Sequence, residues 1–257
     1  MNDVSTAQLA AWLDQTLQPQ RFRDYCPNGL QVEGKKRIHR IITGVTATQA
    51  LLEAAVRRNA DAVLVHHGWF WKNEDPCVRG PKRKRLSLTL AHELNIFAYH
   101  LPLDAHPELG NNAQLARVLD LEPERTAEGQ PVTCGPEGLI WLGRSRAGTL
   151  GELASQTGKA LQREPLVVGS PEQPVTRVAW CTGAAQGMMD AAIAAGADAY
   201  ITGEASEPTF HLATETGTGF IGAGHHATER YGVQALGQAV AQAFGIEVEF
   251  IDIDNPV

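Results

Sequence analysis

The apolar and polar positions between residues 40 and 66 follow two different periods. Arg40-Ile-Ile-Thr-Gly is a short apolar run, residues 49–58 carry apolar positions at helical spacing, and Ala62-Val-Leu-Val is a second apolar run that ends at His66. Short apolar runs bounded by turn residues are typical of buried strands, whereas the spacing between them is typical of an amphipathic helix. The pattern therefore predicts a strand, a helix and a second strand.

A later stretch of the chain repeats this pattern. Arg177-Val-Ala-Trp-Cys leads into a helix-like run over 186–195, and Ala199-Tyr-Ile-Thr follows it. One constant shift along the chain aligns the two stretches and pairs identical residues: Gln49 with Gln186, Ala54 with Ala191, Ala55 with Ala192, Ala60 with Ala197, Asp61 with Asp198, and Ala62 with Ala199. We interpret this match as an internal duplication.

The duplication predicts the fold class. Each stretch continues into a further helix-like segment and another apolar strand, and the polar, turn-rich segment over 122–131 separates the two. We therefore predict an α/β fold of two similar three-layer lobes, residues 1–127 and residues 128–257. The C-terminal segment from about residue 222, which ends in an alternating strand, can rejoin either lobe, the first included.

Composition narrows the class of protein. The 257 residues are 43% hydrophobic and 20% charged, and the net charge of -7 argues against generic binding of duplex nucleic acid. The sequence has no apolar run long enough to cross a bilayer and no secretory signal pattern at its start, which predicts a cytoplasmic protein without membrane contact. The widely spaced cysteines exclude a thiolate zinc framework: Cys26, Cys77, Cys134 and Cys181.

Histidines cluster directly after predicted strands. His66 and His67 come directly after an apolar strand and before Gly68, so their side chains can enter the crevice at the carboxyl end of a sheet. An isolated His-His pair more often has a structural role, in which one ring binds a backbone carbonyl. The pair therefore indicates a metal site only in combination with two other strings of the sequence.

The second string is His100-Leu-Pro-Leu-Asp104-Ala-His106, and the third is Gly222-Ala-Gly-His225-His226-Ala-Thr-Glu229. Asp104 is a candidate carboxylate ligand, with an Asx turn as its alternative role. His225 and Glu229 lie four residues apart at the start of a helix and can share one face, although Glu229 can also stabilise the first helical turn. Asn112, after Gly110, is interpreted as a helix N-cap.

Three imidazoles and two carboxylates are more ligands than a mononuclear site normally needs. His66, His67, Asp104, His225 and Glu229 would suit two divalent ions about 3.5 Å apart, with positions left for water and substrate. We expect this site at the carboxyl ends of strands, between the lobes. The ligand types favour zinc, iron or manganese over calcium or magnesium.

Four strings resemble one known family: Cys26-Pro-Asn-Gly-Leu-Gln-Val-Glu-Gly, Val65-His-His-Gly, the run from His100 to Asn112, and Gly224-His-His-Ala-Thr-Glu-Arg. They are similar to the NGG-interacting-factor-three-like dinuclear-metal family, also known as type 2 GTP cyclohydrolase 1 homologues, and closest to the short bacterial members typified by YbgI. The resemblance implies that His67, Asp104 and Glu229 hold one ion and that His66, His225 and the bridging Glu229 hold the other. It also implies a toroidal homohexamer, a trimer of dimers.

The resulting prediction is a metal-dependent hydrolase of GTP cyclohydrolase type, acting on a nucleotide or another phosphate-bearing ligand. His100 is a candidate proton shuttle, and His106 and His226 are further candidates for that role. The basic run from Arg79 to Arg85 could meet a phosphate, although such a run is usually a solvated face. Trp69-Phe-Trp71 could stack on a base, but three such aromatics are at least as often packing or a subunit interface. Two alternatives stay open: a non-catalytic metal-binding ring that presents a surface to nucleic acid or protein, and a metallopeptidase or phosphoesterase.

Overall fold

The computed structural model describes residues 2–257 of the chain. Its strands are β1 (Val4–Ser5), β2 (Gly29–Val32), β3 (Arg37–Ile38), β4 (Arg40–Thr46), β5 (Ala62–His67), β6 (Asn95–Ala98), β7 (Leu121–Pro123), β8 (Thr133–Cys134), β9 (Ile140–Ser145), β10 (Leu166–Val168), β11 (Arg177–Trp180), β12 (Ala199–Thr202), β13 (Gly219–Gly222) and β14 (Glu247–Phe250). Its α-helices are α1 (Thr6–Leu17), α2 (Gln49–Arg57), α3 (Gly80–Ala91), α4 (Leu101–Ala105), α5 (Asn111–Val118), α6 (Leu150–Leu161), α7 (Met189–Ala194), α8 (Glu207–Thr216) and α9 (His225–Phe244). Short 3-10 turns lie at Pro19–Arg21, Pro136–Gly138 and Gln186–Met188.

The first compact unit comprises the described part of Met1–Gly110 together with Gly232–Asp254. Its main sheet has the order β14-β4-β5-β6-β2, in which the first four strands are parallel and β2 is antiparallel to β6. Successive strand residues face opposite sides, so Ile41 packs in a core with α1 and α9, whereas Ile42 packs with α2. Helices therefore cover both faces of this sheet.

The C-terminal strand β14 belongs to the first unit. In β14, Val248 pairs with Ile41 of β4 in a parallel ladder. The preceding helix contributes Val233, Leu236 and Val240 to the core that contains Ile41. This apolar face explains why the segment joins the first unit.

The second unit comprises Asn111–Tyr231 with Asn255–Val257. Its sheet has the order β10-β13-β12-β11-β9-β7, with β8 paired to β9. Strands β11, β12 and β13 are parallel, and β9 and β10 run antiparallel to their neighbours. Trp141 and Trp180 lie in its core with ring centroids 6.1 Å apart, packed with residues of α5 and α6.

The division between the units at residues 110 and 111 differs from the boundary expected near residue 128. Helix α5 packs into the second core through Leu115 and the residue Leu119 that follows it. The polar segment expected to be a linker instead folds back within this unit, because Val132 N donates to Glu124 O and Arg125 pairs with Pro131. Residues 111–127 thus form part of the second unit.

A carboxylate stabilises the start of the first parallel strand in each unit. In the first unit, Asp61 Oδ2 accepts from the backbone N–H groups of His39 and Arg40 at 2.8 and 3.1 Å. In the second unit, Asp198 Oδ2 accepts from the N–H groups of Thr176 and Arg177 at 2.9 and 2.8 Å.

The side chains of the two strand-starting arginines also make matching bonds. Arg40 Nη1 donates to the carbonyl of Arg58, and Arg177 Nη1 donates to that of Ala195. The aspartates, the arginines and these carbonyls are all related by the same shift that carries Gln49 onto Gln186.

One local expectation is wrong. Asn112 is not an N-cap: helix α5 begins at Asn111, and Asn112 lies buried within its first turn. Helix α3 begins at Gly80, so most of the basic run lies inside a helix. Among the described residues, no helix is both long and apolar enough to span a membrane.

Candidate metal centre

His66 and His67 are the last two residues of β5, whereas the sequence pattern placed them directly after this strand. The His66 side chain is fully buried, and its Nδ1 lies 3.0 Å from the carbonyl oxygen of Tyr99. Because a carbonyl oxygen can only accept, Nδ1 carries the proton and Nε2 offers a lone pair. This is the arrangement in which a second hydrogen bond orients a metal-binding histidine.

Asp104 faces His66 within the first unit. It lies in the short helix α4, which starts beyond β6 with Pro102 in its first turn, and it is 6% exposed. Its Oδ1 is 3.5 Å from His66 Nε2. When two ligand atoms each lie about 2.1 Å from one tetrahedral metal ion, they lie about 3.4 Å from each other. The separation of His66 and Asp104 therefore suits two ligands of one ion.

His67 and His100 extend this group, which we term the first-unit cluster (His66, His67, His100 and Asp104). The ring centroid of His67 is 4.4 Å from that of His66, and one ligand atom each of His66, His67 and His100 lies within 4.8 Å of the others. The His67 Nδ1 is 3.2 Å from Thr46 Oγ1. Imidazole and carboxylate groups that could hold a metal ion are therefore gathered at the end of β5, with His100 beside them.

The second unit contains a cluster of its own, which we term the second-unit cluster (His225, Glu229 and Glu204). His225 is the first residue of α9 and Glu229 lies one turn later, so their side chains share one helix face. His225 Nε2 is 3.1 Å from Glu229 Oε2, and Glu229 is 2% exposed. This spacing again suits two ligands of one ion.

Glu204 is a site residue that the sequence reasoning did not identify. Its Oε1 lies 2.7 Å from His225 Nδ1. Burial lowers the pKa of His225, but the hydrogen bonds and negative charges of Glu229 and Glu204 outweigh it and raise that pKa to about 9. The imidazole therefore holds a proton at neutral pH, and a metal ion would displace it on binding.

Gly183 makes room for Glu229. A Cβ atom at this position would lie 2.1 Å from Glu229 Oε1 and 3.2 Å from His225 Nε2. The φ angle of Gly183 is +70°, a conformation that other residues rarely adopt. The glycine is recognisable in the sequence only as one of many, because its partner lies far along the chain.

The other histidines named from the sequence have different surroundings. His106 Nδ1 lies 3.2 and 3.0 Å from the backbone N atoms of Glu108 and Leu109, and it accepts from both N–H groups. Burial lowers the pKa of His106 below its ordinary value, and the negative charge of Glu108 raises it by less. The backbone N–H of His226 donates to the carbonyl of Val257. These contacts give His106 a role in its turn.

The basic run is partly paired with acids in the same unit. Arg79 lies 2.7 Å from Asp75, and Lys82 lies 3.0 Å from Glu74. Lys82 Nζ also lies 5.4 Å from the ring centroid of Phe70, within reach of a cation–π interaction. Part of this positive charge is therefore already balanced.

The donor sets fit a divalent metal ion. Both clusters combine imidazole nitrogens with a buried carboxylate, at separations of 3.5 and 3.1 Å between facing ligand atoms. Burying such a carboxylate is costly unless positive charge accompanies it. Nitrogen and carboxylate ligands together suit zinc, iron or manganese.

Comparison with known proteins gives one consistent result. A family model described as Duf34/NIF3 (NGG1p interacting factor 3) matches residues 4–256. The chain is 54% identical over 255 residues to a Pseudomonas aeruginosa protein named GTP cyclohydrolase 1 type 2 homolog, with 98% of this chain and 99% of the relative covered.

Solved structures give the same picture. The structure of protein ybgI, described as of unknown function, is 49% identical with a TM-score of 0.92, covering 99% of this chain and 100% of that one. The crystal structure of a Thermus thermophilus protein is 31% identical with a TM-score of 0.82, covering 99% and 100%.

Proposed function

The chain belongs to the Duf34/NIF3 family, and from this premise we propose that it is a metal-dependent hydrolase with two divalent ions per chain. The proposal rests on one pair of facing ligand atoms in each unit. His66 Nε2 lies 3.5 Å from Asp104 Oδ1, and His225 Nε2 lies 3.1 Å from Glu229 Oε2. Each pair combines one imidazole with one buried carboxylate.

The proposed ligands are those of the family pattern. As the family resemblance implies, His67, Asp104 and Glu229 would hold one ion, and His66, His225 and Glu229 would hold the other, with Glu229 shared. Bound divalent ions of this kind lower the pKa of a coordinated water and polarise the bond to be broken.

The protein's own residues prepare these ligands. The carbonyl of Tyr99 fixes His66 with its proton on Nδ1, which leaves Nε2 for ligation. Glu204 does the same for His225 by facing its Nδ1. Truncating either partner should weaken metal binding even though neither is itself a proposed ligand.

We further propose a nucleotide or another phosphate-bearing substrate. The names of the relatives point to a guanine nucleotide, and an aromatic side chain beside the first-unit cluster supports this class. Trp71 lies 5.9 Å from His67 by ring centroids, and the basic run over 79–85 follows it in the chain. A homohexamer stays a prediction that light scattering of the purified protein can test.

Metal analysis and a substrate screen test the proposal. Protein purified without chelator should contain two ions per chain, and one ion or none would contradict the dinuclear site. The metal-loaded protein is then screened against GTP, other nucleotides, phosphoesters and dipeptides, with His66→Ala as the inactive variant. His211→Ala, which changes an exposed histidine of α8, is the matched control.

The screen also separates the alternatives. Turnover that disappears in His66→Ala and persists in His211→Ala supports a hydrolase, and the substrate class distinguishes a cyclohydrolase from a peptidase or a phosphoesterase. Absence of turnover together with salt-sensitive oligonucleotide binding would favour the non-catalytic ring.

An internal duplication accounts for the two units, and we propose it as the origin of the fold. The matching hydrogen bonds of Asp61 and Asp198 support it, since equivalent contacts recur at the same shift that aligns the sequences. The middle strands also follow one order, β4-β5-β6 in one unit and β11-β12-β13 in the other.

A further inference from the structure

A buried carboxylate holds His100 from the side of the Asp24–Asn28 segment. The Asp24 side chain is 3% exposed, and its Oδ1 lies 2.6 Å from His100 Nδ1. Oδ1 also accepts from Tyr25 N at 2.6 Å, whereas Oδ2 accepts from Asn28 Nδ2 at 2.8 Å and from Leu101 N at 2.9 Å. The carboxylate is thus surrounded by donors.

Asn28 completes this arrangement. Its Oδ1 accepts from the backbone N–H of His100 at 2.7 Å, while its Nδ2 donates to Asp24. The segment therefore fixes the main chain of His100 as well as its ring. One loop, 72 residues earlier in the chain, determines the orientation of the imidazole.

The hydrogen bonds settle which ring nitrogen of His100 carries the proton. Burial raises the pKa of Asp24, but the bonds from His100, Asn28 and Tyr25 outweigh it, so that this pKa lies below its ordinary value. An ionised carboxylate can only accept, so Nδ1 of His100 must be the donor. Its other nitrogen, Nε2, then has a free lone pair in the neutral ring.

The ring of His100 lies among groups of the proposed centre. Its centroid is 5.1 Å from that of His66 and 5.7 Å from that of His67, and Trp71 meets it edge-on at 5.0 Å. The side chain is 15% exposed, so a small molecule can reach it. The 2.6 Å separation from Asp24 is shorter than the roughly 3.4 Å between two ligands of one tetrahedral ion, so this contact is a hydrogen bond.

We propose that Asp24 is a positioning residue that holds His100 with its proton on Nδ1, so that Nε2 accepts a proton from water or substrate beside His66 and His67. The inference rests on the proposed hydrolase function. As the attacking water forms its bond to the substrate, its proton passes to Nε2. The same proton passes to the leaving group when the old bond breaks, and His100 returns to its starting state.

Nitrogen-15 NMR of histidine-labelled protein tests this arrangement without a substrate. The wild-type spectrum should show His100 with hydrogen on Nδ1 and none on Nε2, with the signals assigned by their loss in His100→Gln. In Asp24→Asn, the amide oxygen should face Leu101 N and Asn28, which leaves the amide NH₂ facing His100 Nδ1. The proton of His100 should therefore move to Nε2.

Cys26→Ala is the matched control, because it changes the same segment and leaves the hydrogen bonds of Asp24 and Asn28 in place. It should keep the wild-type signals of His100. All variants should bind as many metal ions as the wild type, since neither Asp24 nor His100 is a proposed ligand.

Either of two NMR results would overturn the inference: a wild-type His100 with its proton on Nε2, or an Asp24→Asn protein that keeps the proton on Nδ1. Loss of metal from Asp24→Asn would also overturn it, because Asp24 would then belong to the metal site. If Asp24→Asn does not fold, the wild-type spectrum alone decides.

Kinetics separate this inference from the proposed function. Where the wild type turns over a substrate, Asp24→Asn should lower kcat about 10²- to 10⁴-fold with little change in KM, and adding His100→Gln should cause little further loss. A wild type with the expected tautomer and no turnover would instead remove the hydrolase and leave the positioning of His100 intact.

Discussion

At the scale of single residues, Asp61 shows how one carboxylate can join separate segments of the chain. It accepts from two backbone N–H groups and from Lys35 Nζ at 2.7 Å. We expect Asp61→Asn to lower the free energy of unfolding by about 1–3 kcal/mol at neutral pH, measured by urea denaturation. Asp198→Asn should destabilise in the same direction. An unchanged stability in either variant would contradict these bonds.

The surroundings of Asp61 also predict that the free energy of unfolding depends on pH. Burial raises the pKa of Asp61, but the bonds from Lys35 and from the N–H groups of His39 and Arg40 lower it below its ordinary value. A depressed pKa in the folded state gives stability above the unfolded value of about 3.9, and this stability is lost as the pH falls through the folded value. The difference between wild type and Asp61→Asn should therefore shrink on acidification.

Residues that follow a strand could be predicted, whereas their distant partners could not. His66 and His67 are recognisable because an apolar strand precedes them and Gly68 follows. Asp24 and Glu204 reach their histidines from 76 and 21 residues away. Nothing in the local pattern marks such a pairing, because it depends on how strand ends meet in the folded unit.

At the scale of helices and strands, Asn112 ties α5 to two strands of the second unit. Its Nδ2 donates to Leu139 O at 3.0 Å, next to β9, and its Oδ1 accepts from Thr182 N at 3.1 Å, beyond β11. Asn112→Ala should lower the free energy of unfolding by about 2–4 kcal/mol, because two buried backbone groups lose their partner. Arg117→Ala, on the exposed face of the same helix, should change it by less than about 0.5 kcal/mol.

Strands and helices with a clear period were predicted well, and the assignment of segments to units was not. The strand, helix and strand that the apolar spacing predicted are present as β4, α2 and β5. Residues 122–131 are polar and rich in turn formers, which is equally typical of a linker and of a hairpin within one unit. Tertiary contacts distinguish the two: the hydrogen bond from Val132 N to Glu124 O and the pairing of Arg125 with Pro131.

At the scale of the whole chain, the proposed duplication explains why each unit has a cluster of histidine and carboxylate side chains at the end of a strand. The shift that aligns Asp61 with Asp198 also aligns His67 with Glu204. Both positions lie at the carboxyl end of a central parallel strand, and both belong to a cluster of histidine and carboxylate side chains. Equivalent places in the two units thus carry different residue types, an imidazole in one and a carboxylate in the other.

Metal removal should destabilise the whole chain if ions bind only the folded protein. An ion present at 100 times its Kd contributes about 2.7 kcal/mol, so chelation should lower Tm and added metal should restore it. Glu229→Gln should reduce both the metal content and this shift, because its buried carboxylate is the proposed bridge. His211→Ala should keep the wild-type shift. A Glu229→Gln protein with its full complement of ions would show that Glu229 does not bridge them.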